Sequence, residues 1–154
     1  MLRSCTEDLG VTHIITSALE HHAVIDTAEW IENHRDIKLS LVKVDNKGFV
    51  DLQHLENLLE EHKNQKTLVS LMHANNEIGT LLPLKKVAQL CRQYQAYFHS
   101  DTVQTVGHYA FDVRDLDIDF MTCSAHKFHG PKGIGFLFVN ENLQLKPIIT
   151  EGAQ

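Results

Sequence analysis

No run of apolar residues in the chain approaches the ~20 that a membrane-crossing helix needs, and the opening Met1-Leu2-Arg3-Ser4-Cys5 has no apolar core of the kind a secretion signal carries. A cytoplasmic protein is the expectation. Cysteine is scarce: Cys5, Cys91 and Cys123 are an odd three without C-x-x-C spacing, which argues against a disulfide framework or a cysteine zinc site and leaves reduced thiols. Positive charge is outnumbered, 14 Lys and Arg against 20 Asp and Glu, and the net charge of -6 speaks against nucleic acid or an anionic membrane as partner. Eleven histidines are many, yet none fall in H-E-x-x-H or comparable ligand spacing, so no metal site is expected. Most are read as surface residues, His54 and His62 in their charged stretch among them. Repeats, low-complexity tracts and Gly/Ser linkers are absent too, which leaves residues 1–154 as one unit. At 43% hydrophobic and 22% charged, that unit is long enough to bury a core without a metal or disulfide staple.

What is present is an alternation of short apolar runs with longer helical patterns, the sign of strands and crossover helices building an α/β fold on a mostly parallel sheet flanked by helices. His13-Ile14-Ile15-Thr16 is the first strand, and Val24, Ala28 and Ile31 recur at helical spacing from about His21 to Asn33. Ile37 to Val44 alternates like a half-buried strand and ends in the turn residues Asp45-Asn46-Lys47-Gly48. Asp51 is placed to cap a helix whose apolar stripe is Leu52, Leu55, Leu58 and Leu59. Leu68 to Met72 is apolar on both faces apart from Ser70, as in a central strand covered on both sides. Pro83 suits a helix start, with Leu84, Val87, Ala88 and Cys91 on one face toward Tyr94. Tyr97–His99, Phe120–Cys123 and Ile134–Val139 complete the strands, burying Cys123.

Ligands of open parallel sheets sit outside the carboxyl ends of the strands, and the polar clusters fall there. Glu20-His21-His22, His73 to Glu77, Asp101 to Gln104 and Ser124 to Lys127 each follow a strand, so four separate segments converge on one crevice. Lys127 precedes a turn-rich stretch through Gly133, where its amine can be held near a ligand for Schiff-base chemistry. Asp101 emerges from a neighbouring strand. A lysine and a carboxylate facing one small molecule are the pair that pyridoxal phosphate requires, one for its aldehyde carbon and one to keep its ring nitrogen protonated. Either residue alone reads by default as a solvated amine or a helix cap.

Four whole motifs go further. Ala18-Leu19-Glu20-His21-His22-Ala23-Val24, His73-Ala74-Asn75-Asn76-Glu77-Ile78-Gly79-Thr80, Asp101-Thr102-Val103-Gln104-Thr105-Val106-Gly107 and Ser124-Ala125-His126-Lys127-Phe128-His129-Gly130-Pro131-Lys132-Gly133-Ile134-Gly135 stand in that order. Together they resemble the cysteine desulfurases of the nitrogen-fixation and iron–sulfur-cluster type, within the class V aminotransferase superfamily. The similarity runs from His13 to the end. It implies the fold type I, aspartate aminotransferase-like large domain, with pyridoxal 5'-phosphate as cofactor. Carried over by motif, Lys127 holds the cofactor covalently, Asp101 pairs with its pyridine nitrogen, and His21 stacks on its ring and transfers protons through either ring nitrogen. Asn76 and Gln104 match positions that hydrogen-bond the cofactor's phenolic oxygen or the substrate, and Ser124 and His126 match side chains that hold its phosphate. His22 and Asn75 are assigned structural roles, Glu77 is read as a loop carboxylate, and Gly130, Gly133 and Gly135 as turn devices.

The resemblance implies L-cysteine as the substrate of the intact enzyme, alanine and an enzyme persulfide as products, a sulfur-acceptor or scaffold protein as partner, and a homodimer. The family is more than twice as long as this stretch. Its glycine- and threonine-bearing phosphate loop is expected before Met1, and its persulfide cysteine, substrate-carboxylate arginine and small domain after Gln154. The tail Ile149-Thr150-Glu151-Gly152-Ala153-Gln154 resembles the start of a segment that reaches the partner subunit's phosphate. The expectation is therefore a fragment of the cofactor domain that does not turn over cysteine by itself. Another class V aminotransferase or lyase, and a truncated interaction domain without catalysis, remain the alternative readings.

Overall fold

The computed structural model describes residues 1–147, so the resemblance of the tail Ile149–Gln154 lies outside the described residues. Six strands form one sheet: β1 (His13–Ser17), β2 (Lys38–Val42), β3 (Thr67–Ser70), β4 (Tyr97–Asp101), β5 (Phe120–Ser124) and β6 (Gly135–Val139). Their order across the sheet is β2-β1-β3-β4-β5-β6; β1 to β5 pair in parallel, and β6 runs antiparallel to β5. The chain thus builds outward from β1 in both directions. That reversal puts a topological switch point between the carboxyl ends of β1 and β3, where a crevice opens.

Helices cover both faces of the central strands. Alternate residues of each central strand go to opposite sides: Ile14, Leu68 and Phe120 join one core with α1 (Leu2–Asp8) and α2 (His22–His34), while Ile15, Val69 and Met121 join the other with α3 (Leu52–Glu61) and α4 (Leu84–Gln93). Asp51 caps α3 by accepting the His54 backbone N–H, and Leu55 and Leu59 leave water entirely, a contribution of ~1.5–3 kcal/mol each. On α4 the buried stripe is Leu84, Val87, Ala88 and Cys91. A short α5 (Val113–Leu116) leads to β5.

The structure departs from the sequence reading at several places. His62 is buried, its ring stacked on that of His13 at 4.2 Å, because the end of α3 folds back onto the start of β1. β3 ends at Ser70 rather than Met72: its ladder with β1 stops at Ile15↔Val69, and the Met72 N–H beyond is taken by a side chain, Glu20. α1 and α5 lie where no helix is expected, and Leu2 and Cys5 show why for α1, since both are buried in the core. No helix of the described residues is long and apolar enough to cross a membrane.

Candidate functional site

A cavity of about 680 Å³ opens at the carboxyl ends of the strands. Lining it are all seven residues singled out in the sequence, His21, Asn76, Asp101, Gln104, Ser124, His126 and Lys127. They come from four segments, after β1, β3, β4 and β5. Parallel pairing is what brings them together, because each such strand delivers its carboxyl end to the same edge of the sheet.

His21 is the N-cap of α2. Its Nδ1 accepts the Ala23 backbone N–H at 3.1 Å, a task usually given to Ser, Thr, Asp or Asn. That bond assigns the neutral ring's proton to Nε2. The two ring nitrogens are therefore not equivalent, as the sequence alone left them. Asn76 sits in the loop after β3, which Asn75 holds in place: Asn75 Nδ2 donates to the Leu19 carbonyl at 2.8 Å, and its Oδ1 accepts the backbone N–H groups of Glu77 and Ile78. Glu77 itself is exposed, and His22 is hydrogen-bonded to Asp26 on the open side of α2.

Asp101 ends β4 on the cavity floor, only 8% exposed. Burial pushes its carboxyl up from the usual range; the Val103 N–H at 2.9 Å and nearby His21 pull the other way. Among the described residues no cationic side chain pairs with it. A buried carboxylate placed so is a receptor for a positively charged hydrogen-bond donor. Gln104 follows on the same loop, half-buried.

Lys127 lies in a single 3-10 turn, Ala125–Phe128, directly after β5. The His108 ring Nε2 is 3.2 Å from the Lys127 carbonyl oxygen and donates to it, fixing the turn while the amine is left exposed at the cavity. Ser124 and His126 share a hydrogen bond, Oγ to Nδ1 at 2.8 Å. The neighbouring turn approaches so closely that a Cβ at Gly107, whose φ is +85°, would stand 2.7 Å from the Phe128 Cβ.

Four lining or supporting residues carried no role in the sequence reading. His99 lines the cavity floor, buried, with Ser70 Oγ at 2.8 Å and Thr122 Oγ1 at 3.2 Å, and burial pushes its imidazole down to about 3. The signal was available: His99 and Asp101 are two apart on one strand and share a face. Thr122 lines the same floor. His73, buried, meets Thr105 Oγ1 at 3.0 Å and the edges of Tyr109 and Phe111. Glu20 is the fourth; its partners lie 3 and 52 residues away in sequence, at Ser17 and Met72, and no local pattern announces the second of them. All three cysteines are buried and free, and burial pushes each thiol up, Cys5 to about 12, which makes them poor nucleophiles. Among the described residues no group of three or more His, Cys, Asp or Glu is placed to hold a metal ion.

The aminotransferase class-V family model matches residues 9–153. The cysteine desulfurase IscS of Clostridium botulinum (strain Hall) is 42% identical over 142 residues, covering 92% of this chain and 35% of that protein. The NifS-like protein from Rickettsia africae superposes with a TM-score of 0.82 at 35% identity, over 93% of this chain and 38% of that one. A structure of SspA in complex with cysteine gives a TM-score of 0.84 at 32% identity, over 94% of this chain and 41% of that one. The chain spans about a third of the length of the curated relatives it matches.

Proposed function

The chain belongs to the class-V aminotransferase family, and from that premise we propose that it is the cofactor-binding unit of a pyridoxal 5'-phosphate-dependent cysteine desulfurase. The observation that carries the reading is one cavity that combines a buried, unpaired carboxylate, Asp101, with the exposed amine of Lys127 and the ring of His21. These groups fit the cofactor. Asp101 offers a buried anion to the pyridinium N–H, Lys127 an amine for the aldehyde carbon, Asn76 and Gln104 amide donors, and Ser124 with His126 donors for the phosphate. When bound, the cofactor supplies an electron sink for the substrate's α-carbon.

The protein's own contribution is positioning and proton control. On the floor, Asp101 and His99 are buried and hydrogen-bonded, His99 to the half-buried Thr122, so charge interactions there act in a low dielectric. His21 holds its proton on Nε2 and donates from that atom; taking a proton there instead requires the tautomer that gives up the Ala23 cap bond. In the reaction proposed for the whole protein, the C–S bond of L-cysteine breaks, the carbon skeleton leaves as alanine, and sulfur passes to a thiol as a persulfide for iron–sulfur cluster assembly. The cysteine held by the structural relative SspA agrees with that substrate. Buried Cys5, Cys91 and Cys123 are not that thiol. A sulfur-accepting scaffold protein, a homodimer of the whole protein and the cytoplasm belong to the same reading, and free thiols suit a reducing compartment.

The test is to add pyridoxal phosphate to the purified chain, reduce with borohydride, and map the adduct by mass spectrometry. A phosphopyridoxyl group on Lys127, lost in Lys127→Ala without transfer to another lysine, is expected. Labelling spread over several lysines, with no visible absorbance band distinguishing wild type from the variant, overturns the reading.

A further inference from the structure

Glu20 sits where the sheet reverses direction. Its Oε1 accepts two hydrogen bonds, from Ser17 Oγ at the end of β1 and from the Met72 backbone N–H beyond β3, each at 3.0 Å. One carboxyl oxygen thus bridges the carboxyl ends of β1 and β3, beyond their last paired residues Ile15 and Val69. The other oxygen, Oε2, is fully buried and has no hydrogen-bond partner among the described residues, in a side chain 8% exposed. A carboxylate with one oxygen unsatisfied in the interior is costly, whereas the neutral acid is far less so. The ionisable group whose charge reaches it is Asp101 at the end of β4, a like charge that adds to the cost; β1 and the segment after β3 face it with a hydroxyl and an N–H.

The next residue in the chain is His21. The clamp therefore fixes the start of the segment on which the His21 ring caps α2 and meets the cavity. We propose that Glu20 is a positioning residue, carrying a proton on its buried carboxyl and locking the β1–α2 turn so that His21 presents Nε2–H to the cavity. In its protonated form, which predominates below about pH 7, the clamp leaves Asp101 as the carboxylate charge beside the ring. The role deepens the cofactor reading above and rests on it for its purpose, but its geometry is tested without cofactor.

The experiment is nuclear magnetic resonance on the cofactor-free chain, following the Glu20 side-chain carboxyl carbon and the His21 ring nitrogens across pH in wild type, Glu20→Gln and Glu20→Ala. The Glu20 carboxyl is expected to titrate near 7, where burial and Asp101 place it, instead of the ordinary glutamate value of about 4.3. Glu20→Gln, which keeps an acceptor oxygen without charge, should leave the His21 signals in the Nε2–H tautomer. Glu20→Ala should move them to the averaged shifts of a mobile ring. A carboxyl titrating near 4.3, or a Glu20→Gln chain whose His21 ring is averaged, overturns the proposal. Should Glu20→Ala fail to fold, the carboxyl titration and Glu20→Gln still decide. Failure of Lys127 labelling with these signatures intact would sink the cofactor reading and leave the clamp standing.

Discussion

At the scale of single residues, the site is a contest between burial and pairing. Asp101 is held in a place that disfavours its charge, so its ionised form destabilises the protein. Its folded-state pKa is raised, so its contribution to stability is present at low pH and lost as pH rises through that value. Asp101→Asn should therefore raise the melting temperature of the cofactor-free chain at pH 7. The same change removes the anion that a pyridinium N–H requires, and a charged hydrogen bond of ~1.5–3 kcal/mol corresponds to a loss of pyridoxal phosphate affinity of roughly 10-fold to 150-fold. Thermal melting and a cofactor titration read the two effects separately, and a variant that melts lower or binds equally well contradicts the argument. That His21 reaches the cavity was legible because it stands in a motif after a strand. The inequivalence of its nitrogens was not, since that depends on which backbone N–H the folded turn presents.

Among the elements, the two turns at the rim depend on each other. The turn after β4 contains Gly107 at φ +85°, and the turn after β5 contains Lys127 and Phe128; His108 ties them through the Lys127 carbonyl. A side chain at Gly107 meets both the left-handed backbone penalty and the Phe128 Cβ at 2.7 Å. Gly107→Ala should cost about 1–3 kcal/mol and lower the yield of borohydride-trapped Lys127 more than the unfolding midpoint accounts for. Equal trapping at temperatures where both proteins are folded would show the turns to be independent. Most elements were legible because burial imposed a period: Ile14 and Ile15 on a strand, Val87, Ala88 and Cys91 on a helix. α1 was not, since its polar Ser4, Cys5 and Thr6 carry weak helix propensity and its place is decided by the core it meets. β3 read two residues too long for a related reason. Leu71 and Met72 are apolar and buried like strand residues, but the Met72 N–H turns to Glu20, 52 positions away.

For the whole molecule, buried histidines and buried carboxyls set opposite pH dependences. His13, stacked on His62 and hydrogen-bonded to Thr67 and Ser40, is pushed by burial down to about 4, His99 to about 3, and His73 is lowered as well. Each contributes stability that is present above the unfolded value of about 6.5 and lost as pH falls toward its folded value, because the unfolded chain takes the proton first. Glu20 does the reverse: raised to about 7, it favours folding below the unfolded value of about 4.3 and loses that contribution as pH rises to 7. In the acid range the histidines are therefore opposed by Glu20 and by the buried Asp101 and half-buried Asp119, whose carboxyls burial also pushes up. Each histidine that takes a proton only on unfolding adds up to roughly 1.4 kcal/mol per pH unit to the slope of stability, and each carboxyl that holds a proton only in the fold subtracts as much. Urea unfolding midpoints at half-unit steps measure this directly. His13→Asn should flatten the slope, and Glu20→Gln should steepen it while stabilising the chain above pH 7. A His13→Asn slope equal to that of the wild type from pH 4.5 to 6.5 would mean that His13 accepts a proton inside the fold, contrary to its burial between Thr67 and Ser40.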